Sequence, residues 1–289
     1  MSDVIKAALW MSGAIGSFSA MAIAGRAVSF ELDTFEIMMF RSFVGIVLVL
    51  SIAGAAGTLW QITRRNLGLQ AIRNLCHFTG QNLWFFALTM IPLAQLFALE
   101  FTSPLWVLLL SPLFLGERLT RPKVLAALVG FTGVLIVVRP DFNALNIGVI
   151  CAAASAIFFA GTAIATRKLT RTETITCILF YLTVMQAVFG IIAAGYDGDI
   201  ALPSAVSVPW LILIGCAGLL AHFCLTTALS LAPASVVMPI DFIRLPVIAV
   251  IGAAFYSEAI DLWIFIGAAL IFGANYANIR LENRRVTRM

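Results

Sequence analysis

The sequence predicts an all-α polytopic membrane protein with ten transmembrane helices, arranged as two inverted five-helix repeats. Composition is the first observation: 62% of the 289 residues are hydrophobic, 11% are charged, and the mean hydropathy is +1.03. A soluble domain needs about a quarter of its residues charged to cover its surface. The second observation is a series of long apolar runs, and the third is a constant offset between the two halves of the chain.

Apolar runs alternate with short polar breaks along the whole chain, and each run is long enough to cross a bilayer as a helix. The ten predicted spans are 5–25, 35–56, 67–89, 92–114, 121–138, 146–166, 175–195, 209–230, 233–255 and 262–280. The breaks at Pro92 and Pro233 are very tight. Eight or nine spans are the alternative if these prolines kink continuous helices instead of turning the chain.

The distribution of basic residues predicts the orientation of the spans. With ten spans, both termini lie on one side together with the loops after spans two, four, six and eight, and that side carries thirteen of the eighteen lysine and arginine residues. Arg26 and Arg139 lie on the other side, and Arg41, Arg73 and Arg244 fall inside spans. The positive-inside rule therefore predicts that both termini are cytoplasmic.

The two halves of the chain are related by a shift of 141 residues. The shift places Glu100 on Asp241 and Phe101 on Phe242. Further pairs at the same offset are Phe18 and Phe159, Ala22 and Ala163, Arg26 and Arg167, Pro92 and Pro233, and Glu117 and Glu258. We divide the chain into repeats 1–141 and 142–289. Because each repeat has five spans, the second must be inverted relative to the first, as in many secondary transporters.

Glu100 and Asp241 are acids in apolar spans, where a carboxylate is costly unless it faces a cavity or a partner. Each lies eight residues from the start of its span, or ~12 Å deep from opposite faces, which predicts a shared position near the midplane. Asp241 has Arg244 three residues away as an intrahelical partner. Glu100 is protonated, or pairs across helices with Arg41, Arg73 or a ligand. Alternatively, Glu100 is a buried neutral acid that is hydrogen-bonded to the backbone.

Glu117 and Glu258, at span ends, are interpreted as loop or helix-cap groups.

Span three carries a polar stripe in which Asn74, His77, Gln81 and Trp84 recur at steps of three and four residues. Lipid would reject such a stripe, so it faces protein or water. Interhelical hydrogen bonding and a cavity lining are both open interpretations. The 141-residue shift places His222 at the position of Gln81.

Two further groups of residues allow a binding interpretation. Arg41 could bind an anionic substrate group, or extend its side chain to the interface. His77 and His222 could bind a metal with Cys76 and Cys224, but no other ligand spacing supports this. We therefore expect no metal and no cofactor.

Three segments resemble the drug/metabolite transporter superfamily in its ten-span EamA-type branch: FEIMMFRSFVG at 35–45, and residues 87–140 and 228–270. The resemblance implies two inverted repeats, a central cavity lined by spans one, three, four, six, eight and nine, and export or uptake of small metabolites such as amino acids. It also implies the inner membrane of a bacterium. The DFIRLP segment at 241–246 is similar to members described as S-adenosylmethionine uptake transporters. Other relatives export aromatic amino acids or carry riboflavin. Glu100 departs from ordinary members, which have an uncharged residue in span four.

We therefore expect a secondary transporter of a small polar metabolite, either an amino acid or an S-adenosylmethionine-like compound. The expected substrate-binding residues are Glu100, Phe101, Asp241, Arg244, His77, Gln81, Trp84, His222 and Arg41.

A riboflavin or other aromatic-metabolite transporter is the first alternative. An intramembrane lipid-modifying enzyme is disfavoured because no nucleophile or metal motif is found, so no catalytic residue is expected. A passive channel is the third option. The lipid bilayer is an expected partner and nucleic acid is not, while proton coupling and a homodimer stay open.

Overall fold

The computed structural model describes residues 2–91, 93–138, 146–196, 198–256 and 262–286. These residues form twelve α-helices, with short 3₁₀ segments at Leu59–Gln61 and Asp241–Ile243. The helices are α1 Asp3–Val28, α2 Thr34–Ala55, α3 Leu67–Met90, α4 Leu93–Glu100, α5 Ser103–Leu115, α6 Arg121–Val138, α7 Ile147–Leu169, α8 Ile175–Ala194, α9 Val208–Leu231, α10 Ala234–Ile240, α11 Arg244–Tyr256 and α12 Leu262–Val286. The described part of the chain contains no strand, which confirms the all-α prediction.

Each predicted span coincides with one helix or with a pair of consecutive helices. Within the described ranges, α1, α2, α7, α8 and α9 are long and apolar enough to cross a membrane individually. The fourth predicted span is divided into α4 and α5, and the ninth into α10 and α11. The prediction of continuous helices at these two places is wrong.

Local sequence explains where several helices begin and end. Asp33 caps α2, accepting from the Glu36 backbone N–H at 2.8 Å while the Glu36 side chain accepts from the Asp33 N–H at 2.9 Å. Thr174 caps α8 by accepting from the Cys177 N–H at 3.2 Å. Gly116 ends α5 with φ of +66°, a left-handed conformation that glycine adopts without a steric penalty.

The largest helix contacts follow the repeat. Helix α1 packs along α9, and α3 packs along α7. Because the 141-residue shift relates α1 to α7 and α3 to α9, these two contacts are equivalent. Helices α2 and α8 pack together, as do α6 and α12, and each of these pairs joins related helices. The four largest helix contacts are therefore equivalent when the halves are exchanged.

Glu117 joins the two halves at the end of α5. Its carboxylate accepts from the backbone N–H groups of Ala234 at 2.9 Å and Ser235 at 3.1 Å, at the start of α10. The interpretation of Glu117 as a helix-cap group is confirmed. Its repeat counterpart Glu258 lies outside the described residues, as do Pro92, Arg139 and the predicted repeat boundary at 141/142.

Candidate functional site

Glu100 and Asp241 both lie where a span is interrupted. Helix α4 ends at Glu100, and α10 ends immediately before the 3₁₀ turn that Asp241 begins. Pro104 has no N–H for the Glu100 carbonyl, and Pro246 has none for that of Phe242, so a regular helical ladder cannot continue through either point. Interrupted helices near the membrane centre are typical of binding sites in secondary transporters.

Arg244 links the two acids. Its Nη2 donates a hydrogen bond to Asp241 Oδ2 at 2.8 Å and another to Glu100 Oε1. The pairing of Asp241 with Arg244 is confirmed. The cross-helix partner of Glu100 is Arg244, so the prediction that Arg41 or Arg73 would pair with it is wrong. Since one guanidinium faces two carboxylates, the three groups carry one net negative charge when all are ionised.

The indole of Trp84 and the rings of three phenylalanines contact this charged cluster. Trp84 Nε1 donates to Glu100 Oε2 at 2.6 Å. The Arg244 guanidinium carbon lies 5.2 Å from the ring centroid of Phe101, 5.3 Å from that of Phe18 and 5.7 Å from that of Phe97. These distances are within the range of cation–π attraction. Phe101 is fully buried behind the arginine and does not line the cavity described next.

A cavity opens beside the charged cluster, with about 80 Å³ of space for water-sized molecules. Its walls come from the six spans that the family resemblance implies. The lining residues are Phe18, Met21, His77, Gln81, Trp84, Phe85, Glu100, Ser103, Phe159, Thr162, Ala163, His222, Leu225, Met238, Asp241 and Arg244. The described residues thus bring seven of the nine predicted binding residues to one cavity, and Phe101 and Arg41 lie outside it.

Several buried polar atoms at this cavity have no hydrogen-bond partner among the described residues. They include Asp241 Oδ1, Gln81 Oε1 and both ring nitrogens of His77 and His222. The two imidazole rings meet edge to face with centroids 4.5 Å apart. Buried polar groups usually have partners, so free ones facing a cavity indicate a place where a ligand or water binds.

The two histidines do not form a recognisable metal centre. No cluster of three or more His, Cys, Asp or Glu side chains suited to a metal occurs in the described ranges.

The polar stripe of span three serves both functions that the sequence left open. His77, Gln81 and Trp84 line the cavity, whereas Asn74 bonds helix α8. Asn74 Nδ2 donates to the Met185 thioether at 3.4 Å, and its backbone carbonyl accepts from Gln186 Nε2 at 2.8 Å. The stripe is therefore cavity lining at one end and interhelical bonding at the other.

Arg41 is buried away from the charged cluster, with 6% of its surface exposed. Its Nη1 contacts the Met21 thioether at 3.5 Å, and it lines a small separate pocket between α2, α8 and α9. The interpretation that Arg41 extends to the membrane interface is wrong, because a side chain that reached the interface would be exposed.

Sequence reasoning did not select Phe18, Phe159, Ser103 or Thr162 as site residues. The repeat offers a signal for two of them: Phe18 and Phe159 are 141 residues apart, and both line the cavity. Two equivalent aromatic residues around one cavity are expected when a pseudo-twofold axis passes through it.

Comparisons with known proteins agree on one family and one fold. The EamA-like transporter family matches residues 5–139 and again 146–279. A riboflavin transporter of Brucella anthropi is 31% identical over 86% of this chain and 88% of its own, and an S-adenosylmethionine uptake transporter of Rickettsia felis is 27% identical over 100% and 98%. A pseudopaline exporter of Pseudomonas aeruginosa is 30% identical over 92% and 93%. One solved crystal structure superposes with a TM-score of 0.79 at 18% identity, covering 96% of this chain and 98% of that one, which shows a shared fold.

Proposed function

Since this chain belongs to the EamA-like transporter family, we propose that it is a secondary transporter of a small metabolite with a cationic group and a ring. S-adenosylmethionine is the best-fitting candidate. In this proposal the substrate binds between the two repeats, which rock about the central cavity to expose it alternately on each side. Ten spans cross the inner membrane of a bacterium, with both termini in the cytoplasm. The basic loops on that side support the orientation.

The main support for the proposal is the excess of negative charge at the interrupted helices, where two carboxylates face one guanidinium. Glu100 and Asp241 share the single guanidinium of Arg244, and Asp241 Oδ1 is buried without a partner among the described residues. The cluster therefore attracts a positive charge and offers it a free acceptor. A sulfonium or an ammonium group satisfies both conditions.

The rings around the charged cluster support a substrate with an aromatic part. Phe18, Trp84, Phe85 and Phe159 all line the cavity, and π faces attract both rings and cations. An adenosyl group would stack on these side chains while its sulfonium approached Asp241. The relative named as an S-adenosylmethionine uptake transporter aligns over the whole length of this chain, which supports this assignment.

Helix packing supports movement of one repeat against the other. The α1–α9 and α3–α7 contacts are equivalent under the repeat, so each half can take the arrangement of the other at similar cost. Rocking between two such arrangements is the usual mechanism of transporters built from inverted repeats. The small volume of the cavity indicates that substrate entry requires the helices to separate.

Riboflavin transport is the second candidate. The aromatic cavity lining suits a flavin ring, and a relative named as a riboflavin transporter is 31% identical. Riboflavin is uncharged, however, so it would not use the negative charge of the Glu100–Asp241–Arg244 cluster. Sensitivity of transport to the charge at Asp241 therefore separates the two candidates.

The test is flux into proteoliposomes that contain the purified protein. We expect saturable uptake of labelled S-adenosylmethionine, counterflow when unlabelled compound is loaded inside, and a loss of at least about tenfold in Asp241→Asn. Asp3→Asn is the matched control, because Asp3 forms an exposed pair with Lys6 at 2.9 Å.

Riboflavin and a panel of amino acids are run in parallel. Saturable flux of riboflavin alone would overturn the S-adenosylmethionine assignment, flux without saturation or counterflow would indicate a channel, and product formation from labelled lipid would indicate an enzyme.

A further inference from the structure

Two arginines inside the helical bundle have no acidic partner among the residues that the structure describes. Arg41 and Arg73 are 6% and 1% exposed, and neither forms an ion pair within the described ranges. Arg73 Nε donates to the Thr166 hydroxyl at 3.1 Å, and its Nη1 donates to Asn74 at 3.0 Å. Arg41 donates to the thioether of Met21, which is a weak acceptor. Arg41 is thus the less well satisfied of the two guanidinium groups.

An unpaired charge in this position is costly. Removing an ion from water carries a large desolvation penalty that only a counter-charge and good hydrogen bonds offset. Four basic side chains (Arg41, Arg73, Lys123 and Arg244) and two acidic ones (Glu36 and Glu100) are buried in the described ranges, and Asp241 is partly buried. When all are ionised the set carries one net positive charge, which one monovalent anion would balance.

A pocket beside Arg41 has the size for such an anion. It lies between α2, α8 and α9 and has about 20 Å³ of space for a water-sized particle. Gly218 lines it, and a Cβ there would lie 3.7 Å from the Arg41 guanidinium, at ordinary contact distance. Gly215 allows the helices to approach, since its Cβ would meet Val44 at 2.7 Å. This space fits one small ion or the end of one carboxylate.

His222 gives this pocket a second unused polar group. Its ring lines both the Arg41 pocket and the central cavity, it is 3% exposed, and neither ring nitrogen has a partner among the described residues. A neutral imidazole always carries one N–H donor. The His222 imidazole N–H has no acceptor, and the Arg41 guanidinium beside it has no carboxylate partner, among the described residues. Together they favour a negatively charged group in this pocket.

We propose that Arg41 and His222 form a buried binding site for one monovalent anionic group. The group is either a small inorganic anion or the carboxylate end of the transported molecule. The second source rests on the proposed function, whereas the first does not. If the carboxylate occupies the site, the Arg41 pocket and the Glu100–Asp241–Arg244 cluster hold the two charged ends of one zwitterion.

The test is thermal unfolding of the purified full chain as chloride or formate replaces gluconate at constant ionic strength. Gluconate is too large for a pocket of about 20 Å³, whereas chloride and formate present a single small anionic group. We expect a saturable rise of about 5 °C in Tm for the wild type. Arg64→Gln, which removes an exposed arginine from a loop, should show the same rise. Arg41→Gln should lose most of it.

Each outcome has a definite meaning. A rise with chloride alone identifies an inorganic-anion site, and a rise with formate as well identifies a site that accepts a carboxylate. An equal rise in Arg41→Gln and the wild type would overturn the proposal, as would no rise in the wild type. Should Arg41→Gln not fold, bromide soaked into wild-type crystals decides. An anomalous peak beside Arg41 supports the site, and its absence contradicts it. The measurement requires no flux, so it can succeed even if the proposed transport function fails.

Discussion

The guanidinium of Arg244, on α11, bonds the carboxylate of Glu100, at the end of α4. This pair joins the first half of the chain to the second at the two points where a span is interrupted. Arg244 also bonds Asp241 at 2.8 Å, so the arginine is the common partner of both acids. The cavity lies beside this cluster, because the charged side chains at both interrupted helices, Glu100, Asp241 and Arg244, line it.

Replacing Arg244 with glutamine leaves two buried carboxylates without a counter-charge. Breaking a buried pair in this way costs about 3 to 5 kcal/mol, so we expect a marked fall in Tm and loss of transport. Adding Glu100→Gln to the Arg244→Gln protein removes one unpaired charge and should restore part of the Tm. Arg280→Gln is the control, since Arg280 is exposed beside Tyr276. If Arg244→Gln unfolds at the same temperature as the control, the pair does not stabilise the bundle.

Replacing Trp84 with phenylalanine keeps an aromatic ring but removes the N–H that Glu100 accepts at 2.6 Å. Hydrogen bonds to charged groups contribute about 1.5 to 3 kcal/mol, so we expect Tm to fall and substrate affinity to decrease. Trp10→Phe is matched in chemistry, and Trp10 is 38% exposed on the outside of α1. Equal effects of the two substitutions on substrate affinity would argue against a positioning role for Trp84.

The helices could be predicted from the lengths of the apolar runs, the repeat from the constant 141-residue offset, and most of the cavity lining from buried polar residues together with the family resemblance. The acids interrupt apolar runs, and Asp241 and Arg244 lie one helical turn apart, so their pairing could be predicted. The Glu100–Arg244 pair joins residues 144 positions apart and depends on how α4 meets α11. The breaks in spans four and nine also escaped prediction, since proline allows a turn, a kink or a break and the packing decides among them. The burial of Arg41 depends on glycines in another helix.

Packing between α2 and α8 depends on Gly190. A Cβ at this position would lie 2.9 Å from the Cα atom of Met39, and a backbone atom cannot move aside cheaply. We expect Gly190→Ala to lower stability by about 1 to 3 kcal/mol, measured as a fall in Tm. Gly16→Ala is the control, because nothing lies within 4 Å of a Cβ there, and it should be neutral or slightly stabilising. The opposite order of the two Tm values would contradict the packing described.

The loop before α2 should make stability depend on pH. The Ser207 hydroxyl and the Ser204 backbone N–H donate to the Glu31 carboxylate and hold the pKa of Glu31 below its usual value. A lowered pKa in the folded state stabilises above the unfolded pKa of about 4.3, and this contribution is lost as pH falls through the folded pKa. We therefore expect Ser207→Ala to lower Tm at pH 7 and to have less effect at pH 3. Ser12→Ala is the control, as Ser12 bonds its own helix, and a Ser207→Ala effect that did not shrink in acid would contradict the assignment.

The central claim is that the carboxylates around Arg244 bind the sulfonium charge of S-adenosylmethionine. The most direct test compares the Kd of S-adenosylmethionine with that of S-adenosylhomocysteine, which lacks the methyl group and hence the charge on sulfur. We predict that the wild type binds the charged compound at least about tenfold more tightly, and that Asp241→Asn brings the two Kd values together. Equal affinity in the wild type, or a preference that Asp241→Asn leaves unchanged, would contradict the claim.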